Sequence, residues 1–173
     1  MKPLLTFFCI ALISLTSYSQ KVDYDKKVEE LGITLIPPTK PIANYVKAVR
    51  TGNLLFLSGH GPSRADGTSI TGKVGKDINT EDGYAAAKQV GISLLSTIKA
   101  ELGTLNKVKR IVKVHGMVNC TDDYTDQPKV INGCSDLMVA VFGENGKHAR
   151  AAVGMNSLPG NISVEIEMVI EVQ

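Results

Sequence analysis

The segment 162–172, ISVEIEMVIEV, constrains the fold more than any other part of the chain. Its residues alternate with period two, which predicts a β-strand with one face against a hydrophobic core. The core-facing set is Ile162, Val164, Ile166, Met168, Ile170 and Val172. The opposite face carries Ser163, Glu165, Glu167, Val169 and Glu171. We therefore expect helices to pack on the first face only.

The second face of this strand is neither cleanly polar nor cleanly apolar. A second period-two segment, 107–119, would add Lys109, Ile111, Lys113, His115 and Met117 to the same face. A half-apolar sheet face is often covered by another subunit. The pattern therefore predicts a homo-oligomer with pockets where subunits meet.

The preceding chain contains further strands and two helices. YVKAVR and LLFLSG flank the turn 51–53 and predict two paired strands. One helix is predicted from Thr80, as its cap, to Leu102, with Gly103 as its stop. Another is predicted to open with Pro128 and to end at Gly143, followed by the strand ARAAVG. The order ββαβαββ indicates an α+β fold, a mostly antiparallel sheet with both helices packed on one face.

The N-terminal residues have the layout of a secretion signal. Lys2 precedes an apolar run from about Leu4 to Leu15, and small residues at Ser17 and Ser19 follow. The run is shorter than the roughly 20 residues that a membrane-spanning helix needs. A short buried helix or a membrane anchor is the alternative. We predict a signal over 1–20, a lead-in segment over 21–40 with about one helical turn, and one domain over 41–173, in a protein exported to the periplasm or secreted.

Charge and composition exclude several function classes. Cleavage after the signal removes Lys2 and no acidic residue, so the formal charge falls from +2 to +1. Such a chain has no electrostatic footprint for nucleic acid or an anionic membrane, and 5% aromatic residues offer little for base stacking. RNA cleavage is therefore disfavoured, and no stable membrane span is expected after the signal is removed.

Neither the cysteines nor the histidines form a metal-binding pattern. Cys120 and Cys134 could pair in an oxidising compartment or remain buried and free, and the sequence leaves both open. His60, His115 and His148 lack ligand spacing on any one element, so we expect no metal site. The run 67–73, GTSITGK, has the spacing of a phosphate-binding loop. However, Val74 stands where such a loop needs a hydroxyl residue to hold magnesium, and no strand-loop-helix context surrounds the run, so we do not expect nucleotide binding there.

Arg150 and Glu165 are the strongest candidates for chemistry. They lie on the two closing strands, and a hairpin through the turn LPGN would bring them near one another. A guanidinium fork can hold a carboxylate, and a carboxyl group beside a bound water can move protons. An ion pair that is only structural has the same spacing, so the residues alone leave both interpretations open.

Three runs of the sequence resemble a known family. ANYVKAVRTGNLLFLSG, QPKVINGCSDLMVAVFG and HARAAVGMNSLPGNISVEIEMVIEV are similar to the RidA (YjgF) family of enamine and imine deaminases, over about residues 41–172. The likeness is greatest to a branch with a longer middle loop. The resemblance implies a chorismate-mutase-like fold and a homotrimer with three clefts between subunits. In those clefts an imino acid such as 2-aminoacrylate would be hydrolysed to a 2-keto acid and ammonia, without metal or cofactor.

The resemblance also implies roles for individual residues. Arg150 would hold the substrate carboxylate, and Glu165 would activate water or move its proton. Substrate-binding roles would fall to Tyr45, to the backbone at Ser58, Gly59 and Ala152, and to Asn132.

The chain departs from the family pattern at three positions. His60 stands where glutamine is usual, Ala152 replaces a frequent cysteine, and His148 replaces a common proline. His60 and the longer loop over 63–83 would change the shape of the pocket, so the substrate is open. The alternative function is a binding protein that holds a small carboxylate or keto acid in the same cleft without turnover.

Overall fold

The computed structural model describes residues 22–38 and 43–173. A short helix, α1, precedes the sheet and spans Tyr24–Glu30. The strands are β1 (Ala48–Thr51), β2 (Leu54–His60), β3 (Val108–Asn119), β4 (Ala149–Met155) and β5 (Val164–Val172). The long helices are α2 (Thr80–Leu102), between β2 and β3, and α3 (Gln127–Phe142), between β3 and β4. The predicted order ββαβαββ is confirmed.

The helix ends follow their capping residues. Asn79, not Thr80, caps α2, because its side chain accepts a hydrogen bond from the backbone nitrogen of Asp82. Gly103 ends α2 with a left-handed φ of 80°. Pro128 lies in the first turn of α3, where its missing N–H costs nothing, and Gly143 follows the last residue. Both helices thus end where the sequence predicted.

The five strands form one sheet in the order β1-β2-β5-β3-β4. β3 runs parallel to β4 and antiparallel to β5, and therefore lies between them. The predicted hairpin of β4 and β5 is wrong. Helix α3 carries the chain across one face so that β4 pairs with β3, and the turn Pro159–Asn161 leads from β4 to the far side of β3.

The core lies between α2, α3 and one face of the sheet. Every second residue of β5 from Val164 to Val172 is buried there, as predicted. Ser163, predicted on the opposite face, is buried under the middle loop, to whose Ile70 carbonyl its hydroxyl and backbone N–H both donate. One predicted orientation is wrong. Ile111 faces the core, because register shifts on both sides of it interrupt the alternation of β3.

Helices α2 and α3 approach each other at Gly133. A Cβ there would overlap the carbonyl oxygen of Tyr84 and lie 3.0 Å from the backbone nitrogen of Lys88. Only glycine allows this separation between the two helices. Its neighbour in the chain, Asn132, belongs to the candidate site.

The lead-in segment packs on the same domain. Asp23 caps α1, Val28 is buried, and the ring of Tyr24 packs edge-on against Phe142 with centroids 4.8 Å apart. The predicted secretion signal lies outside the described residues. In the described ranges, no helix is long and apolar enough to cross a bilayer. Cys120 and Cys134 are both buried and free.

Candidate functional site

The first group of candidate residues surrounds Arg150 on β4. Its Nη1 donates to Asn132 Oδ1 at 2.8 Å and to Ser135 Oγ at 3.0 Å, both on α3. We call these residues, together with His148, the arginine cluster. The two bonds use both hydrogens of Nη1 and fix the plane of the guanidinium.

His148 extends this cluster. Its Nδ1 lies 2.6 Å from the Gly146 carbonyl oxygen, which only accepts, so Nδ1 carries the proton. Burial chiefly, and also the charge of Arg150, lower the pKa of His148, which favours the neutral ring. Nε2 then accepts from the Ser135 hydroxyl at 3.0 Å. The Ser135 oxygen is thereby oriented to accept from Arg150.

The rest of the guanidinium is available to a ligand. Arg150 is exposed, and within residues 22–38 and 43–173 no protein group accepts from its Nε or Nη2. These two donors form the fork that binds carboxylates in a bidentate manner. Ala152, two residues along β4, is half-buried and packs against the core on the same side of the sheet.

The second group surrounds Glu165 on β5, which is half-buried. In β2, the pairing shifts between Leu57 and His60, so that Ser58 and Gly59 form a bulge opposite β5. The Glu165 carboxylate lies directly over Gly59, where a Cβ would overlap its Oε1 and approach its Cδ to 2.8 Å. Ser58, Gly59 and Glu165 form what we call the carboxylate cluster.

The environment of Glu165 disfavours its ionised form. Burial chiefly, and then the charge of Glu167, raise its pKa above the ordinary value of 4.5. In the described part of the chain no group donates a hydrogen bond to this carboxylate, whereas His115 Nδ1 lies 3.4 Å from Glu167 Oε2. A carboxyl group with a raised pKa and open lone pairs suits proton transfer near neutral pH.

His60 holds the bulge from the helix side of the sheet. Its Nδ1 donates to the Ser58 carbonyl at 2.7 Å, and its Nε2 accepts from Thr97 Oγ1 at 2.8 Å. The Ser58 backbone N–H donates to the Lys47 carbonyl at 3.0 Å. Both polar groups of the Ser58 backbone are therefore engaged in this chain.

Tyr45 precedes β1 instead of lying in it, because the strand begins at Ala48. Its side chain is exposed, and its backbone N–H donates to Ala43. The structure brings it into neither cluster.

The two clusters lie on opposite faces of the sheet. Arg150 is in register with Val114 and Met168, which are buried beneath the helices. Glu165 is in register with Met117 and Val153 on the open face. Two strand spacings, about 10 Å, also separate β4 from β5. Within one chain the two side chains cannot hold the same small ligand, so the nearness expected from a β4–β5 hairpin is wrong.

The open face is rich in exposed apolar side chains. Phe56 is 43% exposed, on a strand whose other face is buried, and Val153 on β4 is 38% exposed. Val49, paired with Phe56, and Met155 extend the same surface. We call Val49, Phe56, Val153 and Met155 the open-face patch. A sheet face of this kind favours contact with another subunit.

Residues 27–172 match the family model described as "YjgF/chorismate_mutase-like, putative endoribonuclease". The chain belongs to the YjgF family. "Protein TCP17" of Trypanosoma cruzi is 40% identical to this YjgF chain over 145 residues, 83% of this chain and 91% of that protein. A "2-iminobutanoate/2-iminopropanoate deaminase" of Dermatophagoides farinae is 27% identical over 135 residues, 78% of this chain and 90% of that protein.

Solved structures confirm the fold. The crystal structure of the protein Atu1372 from Agrobacterium tumefaciens superposes with a TM-score of 0.80 at 41% identity, covering 87% of the YjgF chain and 94% of that chain. The α+β, chorismate-mutase-like architecture predicted from the strand pattern and the resemblance is therefore correct.

Sequence reasoning missed Ser135 as a site residue and treated His148 only as a departure from the family pattern. Spacing offered a signal for both. Ser135 is three residues beyond Asn132 and shares its helix face, and His148 is two residues before Arg150 and shares its side of the strand.

Proposed function

We propose that this YjgF protein is a hydrolytic deaminase of reactive enamine and imine acids such as 2-aminoacrylate, and that two copies of the chain build each active site. The observation that carries the proposal is the geometry of the two clusters. The guanidinium of Arg150 keeps two donors for a carboxylate, and the Glu165 carboxyl group has a raised pKa. Both are accessible to a ligand but lie on opposite faces of the sheet, so only a second copy of the chain can bring them together.

In this proposal the arginine cluster binds the substrate. The Nε and Nη2 donors of Arg150 take the substrate carboxylate, while Asn132 and Ser135 hold the guanidinium in place. Fixing the carboxylate orients the imine carbon, and orientation supplies most of the acceleration because imines already hydrolyse in water. Tyr45 and the backbone of Ala152 are assigned to the pocket wall by the family resemblance.

Glu165 of the neighbouring copy transfers the protons. An enamine first becomes its imine tautomer, as the methylene carbon gains a proton and the nitrogen loses one. Water then adds its oxygen to the imine carbon, and Glu165 passes the water proton to the imine nitrogen. In the resulting carbinolamine the carbon–nitrogen bond breaks, the nitrogen leaves as ammonia with the hydroxyl proton, and the carbonyl of the 2-keto acid forms. A contact of the Gly59 backbone with the substrate is assigned by the family resemblance.

We propose a homotrimer as the assembly. The open-face patch supplies apolar area on strands β1, β2 and β4 that a single chain leaves uncovered. A closed ring of three copies gives three equivalent clefts, each with Arg150 from one subunit and Glu165 from the next.

Mixing two inactive variants tests the shared site. Arg150→Ala and Glu165→Gln are each expected to abolish the acceleration of 2-aminoacrylate hydrolysis, followed by trapping with semicarbazide. When the two are refolded together in equal amounts, random assembly restores both groups to about a quarter of the clefts. Recovery toward one quarter of wild-type activity is the expected result.

The matched control is a mixture of Arg150→Ala with the double variant Arg150→Ala, Glu165→Gln, which contains no intact arginine and should stay inactive. If the first mixture forms oligomers but remains as inactive as its components, the shared-site proposal is wrong. If wild-type protein binds a keto acid in calorimetry without accelerating hydrolysis, the binding-protein alternative replaces the deaminase.

Export is proposed on the layout of residues 1–20 alone. N-terminal sequencing of the mature protein tests it, with cleavage near Ser19 or Gln20 expected. An intact N-terminus in a cytoplasmic fraction would contradict it.

A further inference from the structure

A cavity of about 160 Å³ lies on the helix side of the sheet, apart from both clusters. It is bounded by the segment 36–38, the approach to β1, the end of β2 and one face of α2. Its size is comparable to an engineered cavity of about 150 Å³ that holds benzene, so a molecule of roughly six to eight heavy atoms fits.

The charged residues that line this cavity have one sign. Lys47 and Arg64 both line it, and in the described ranges no acidic residue does. Within those ranges neither cation forms an ion pair, and the Arg64 guanidinium has only a long bond of 3.4 Å to Thr68 Oγ1. Lys47 is half-buried and close enough to His60 to lower the pKa of that ring, beyond the lowering that burial causes.

The wall formed by α2 offers acceptors. Ser93 Oγ donates to the Gln89 carbonyl at 3.2 Å, and Ser96 Oγ donates to the Ile92 carbonyl at 2.9 Å. Because each hydroxyl proton is already engaged, neither serine can donate to an anionic group, which is therefore favoured on the side of Lys47 and Arg64 and not against α2. Ile36, Pro37 and Ile92 provide an apolar surface in the same cavity.

We propose that this cavity is a second binding site, which takes a small organic carboxylate with an apolar end. Lys47 and Arg64 receive the carboxylate, and the isoleucines and Pro37 contact the apolar end. This site does not depend on the deaminase proposal, because it shares no side chain with either cluster.

The cavity nevertheless borders the bulge of β2. The Lys47 carbonyl accepts from the Ser58 N–H, and the His60 ring donates to the Ser58 carbonyl. A ligand in the cavity therefore contacts the two residues that hold Ser58, one peptide away from Gly59. Binding is expected to shift the backbone amide NMR signals of Gly59 as well as those of Ser93 and Thr97.

The test uses 3-methylbutanoate and its neutral isostere 3-methylbutanamide, titrated into the Arg150→Ala protein so that the arginine cluster cannot contribute. The acid is expected to bind with shifts at Ser93 and Thr97, and the amide to bind about tenfold more weakly. Lys47→Met in the same background should weaken acid binding by about tenfold, whereas the exposed Lys76→Met should not change it.

A second variant covers the case in which Lys47→Met misfolds. Ser93→Phe fills the cavity from α2 and should abolish binding, with its fold verified by circular dichroism. The proposal is overturned if the Arg150→Ala protein binds neither compound at millimolar concentration, if acid and amide bind equally, or if binding requires Arg150.

Discussion

The carboxylate of Glu165 occupies the space in which any residue other than glycine at position 59 would place its Cβ. Gly59 belongs to the bulge of β2, and the shifted pairing there sets the backbone beneath β5. The position of the proposed proton-transfer group is therefore determined by the absence of a side chain on the neighbouring strand.

Gly59→Ala is expected to lower imine hydrolysis by about 100-fold, because the added methyl group displaces the Glu165 carboxylate from the substrate. Gly32→Ala is the matched control. Gly32 has a φ of 66° and open space around it, so alanine there costs about 1 kcal/mol of stability without touching Glu165. Equal activity losses in the two variants would show that Gly59 acts only through stability.

Glu165→Gln should stabilise the protein at pH 7 while abolishing its activity. The folded chain holds the Glu165 proton to higher pH than the unfolded chain, so ionisation costs the folded state stability above the folded pKa. Below about pH 4.5 the group is protonated in both states, and the gain should vanish. Melting temperatures measured from pH 4 to pH 8 check this, and a gain independent of pH would contradict it.

The same pKa governs the pH profile of the reaction. Activity should rise with pH through a pKa above 4.5, as Glu165 ionises and can accept the water proton. Glu167→Gln removes the neighbouring negative charge and should shift this rise to lower pH. Profiles of kcat/KM for the two proteins test the assignment, and an unshifted rise would point to a different titrating group.

Ser135→Ala should weaken substrate binding through Arg150. The change removes an acceptor at 3.0 Å from Nη1, and a hydrogen bond to a charged group corresponds to about a tenfold change in kcat/KM, expected mainly in KM. Ser157→Ala, an exposed serine outside both clusters, serves as control. A fall in kcat at constant KM would argue against a positioning role for Ser135.

The trimer is tested by one substitution made on two faces. Val153 on the open face and Val139 on α3 are both 38% exposed, so aspartate at either site meets similar solvent access in a single chain. Val153→Asp should place a charge in the subunit contact, dissociate the oligomer and abolish activity, whereas Val139→Asp should do neither. Light scattering after size-exclusion chromatography measures the mass; an intact Val153→Asp oligomer would exclude this face as the interface.

The local pattern of the sequence was sufficient for the elements but not for their pairing. Gly103 and Gly143 end their helices as predicted, because capping depends on a few neighbouring residues. Strand order depends on which strand β4 pairs with after α3. The alternation of polar and apolar residues does not encode that pairing. The predicted orientation of Ile111 is wrong for a related reason. The bulges in β3 interrupt its alternation, and the residue types in the strand do not reveal them.

The same limit applied to the candidate site. Alternation along β5 correctly placed Glu165 away from the core, and Arg150 and Asn132 do contact each other. That Arg150 and Glu165 face opposite sides follows only from the register of both with β3. The sequence supplied Arg150 and Glu165 as candidates, and the strand register shows that one chain holds them on opposite faces.

The position of the arginine cluster depends on the contact between α2 and α3 at Gly133. The close approach of α2 and α3 at this residue also positions α3, whose Asn132 and Ser135 accept from the Arg150 guanidinium. A methyl group there would displace α3, and the guanidinium of Arg150 would move with its two partners. If the proposed function holds, substrate preference can therefore change through substitutions between the helices, at positions that the substrate does not contact.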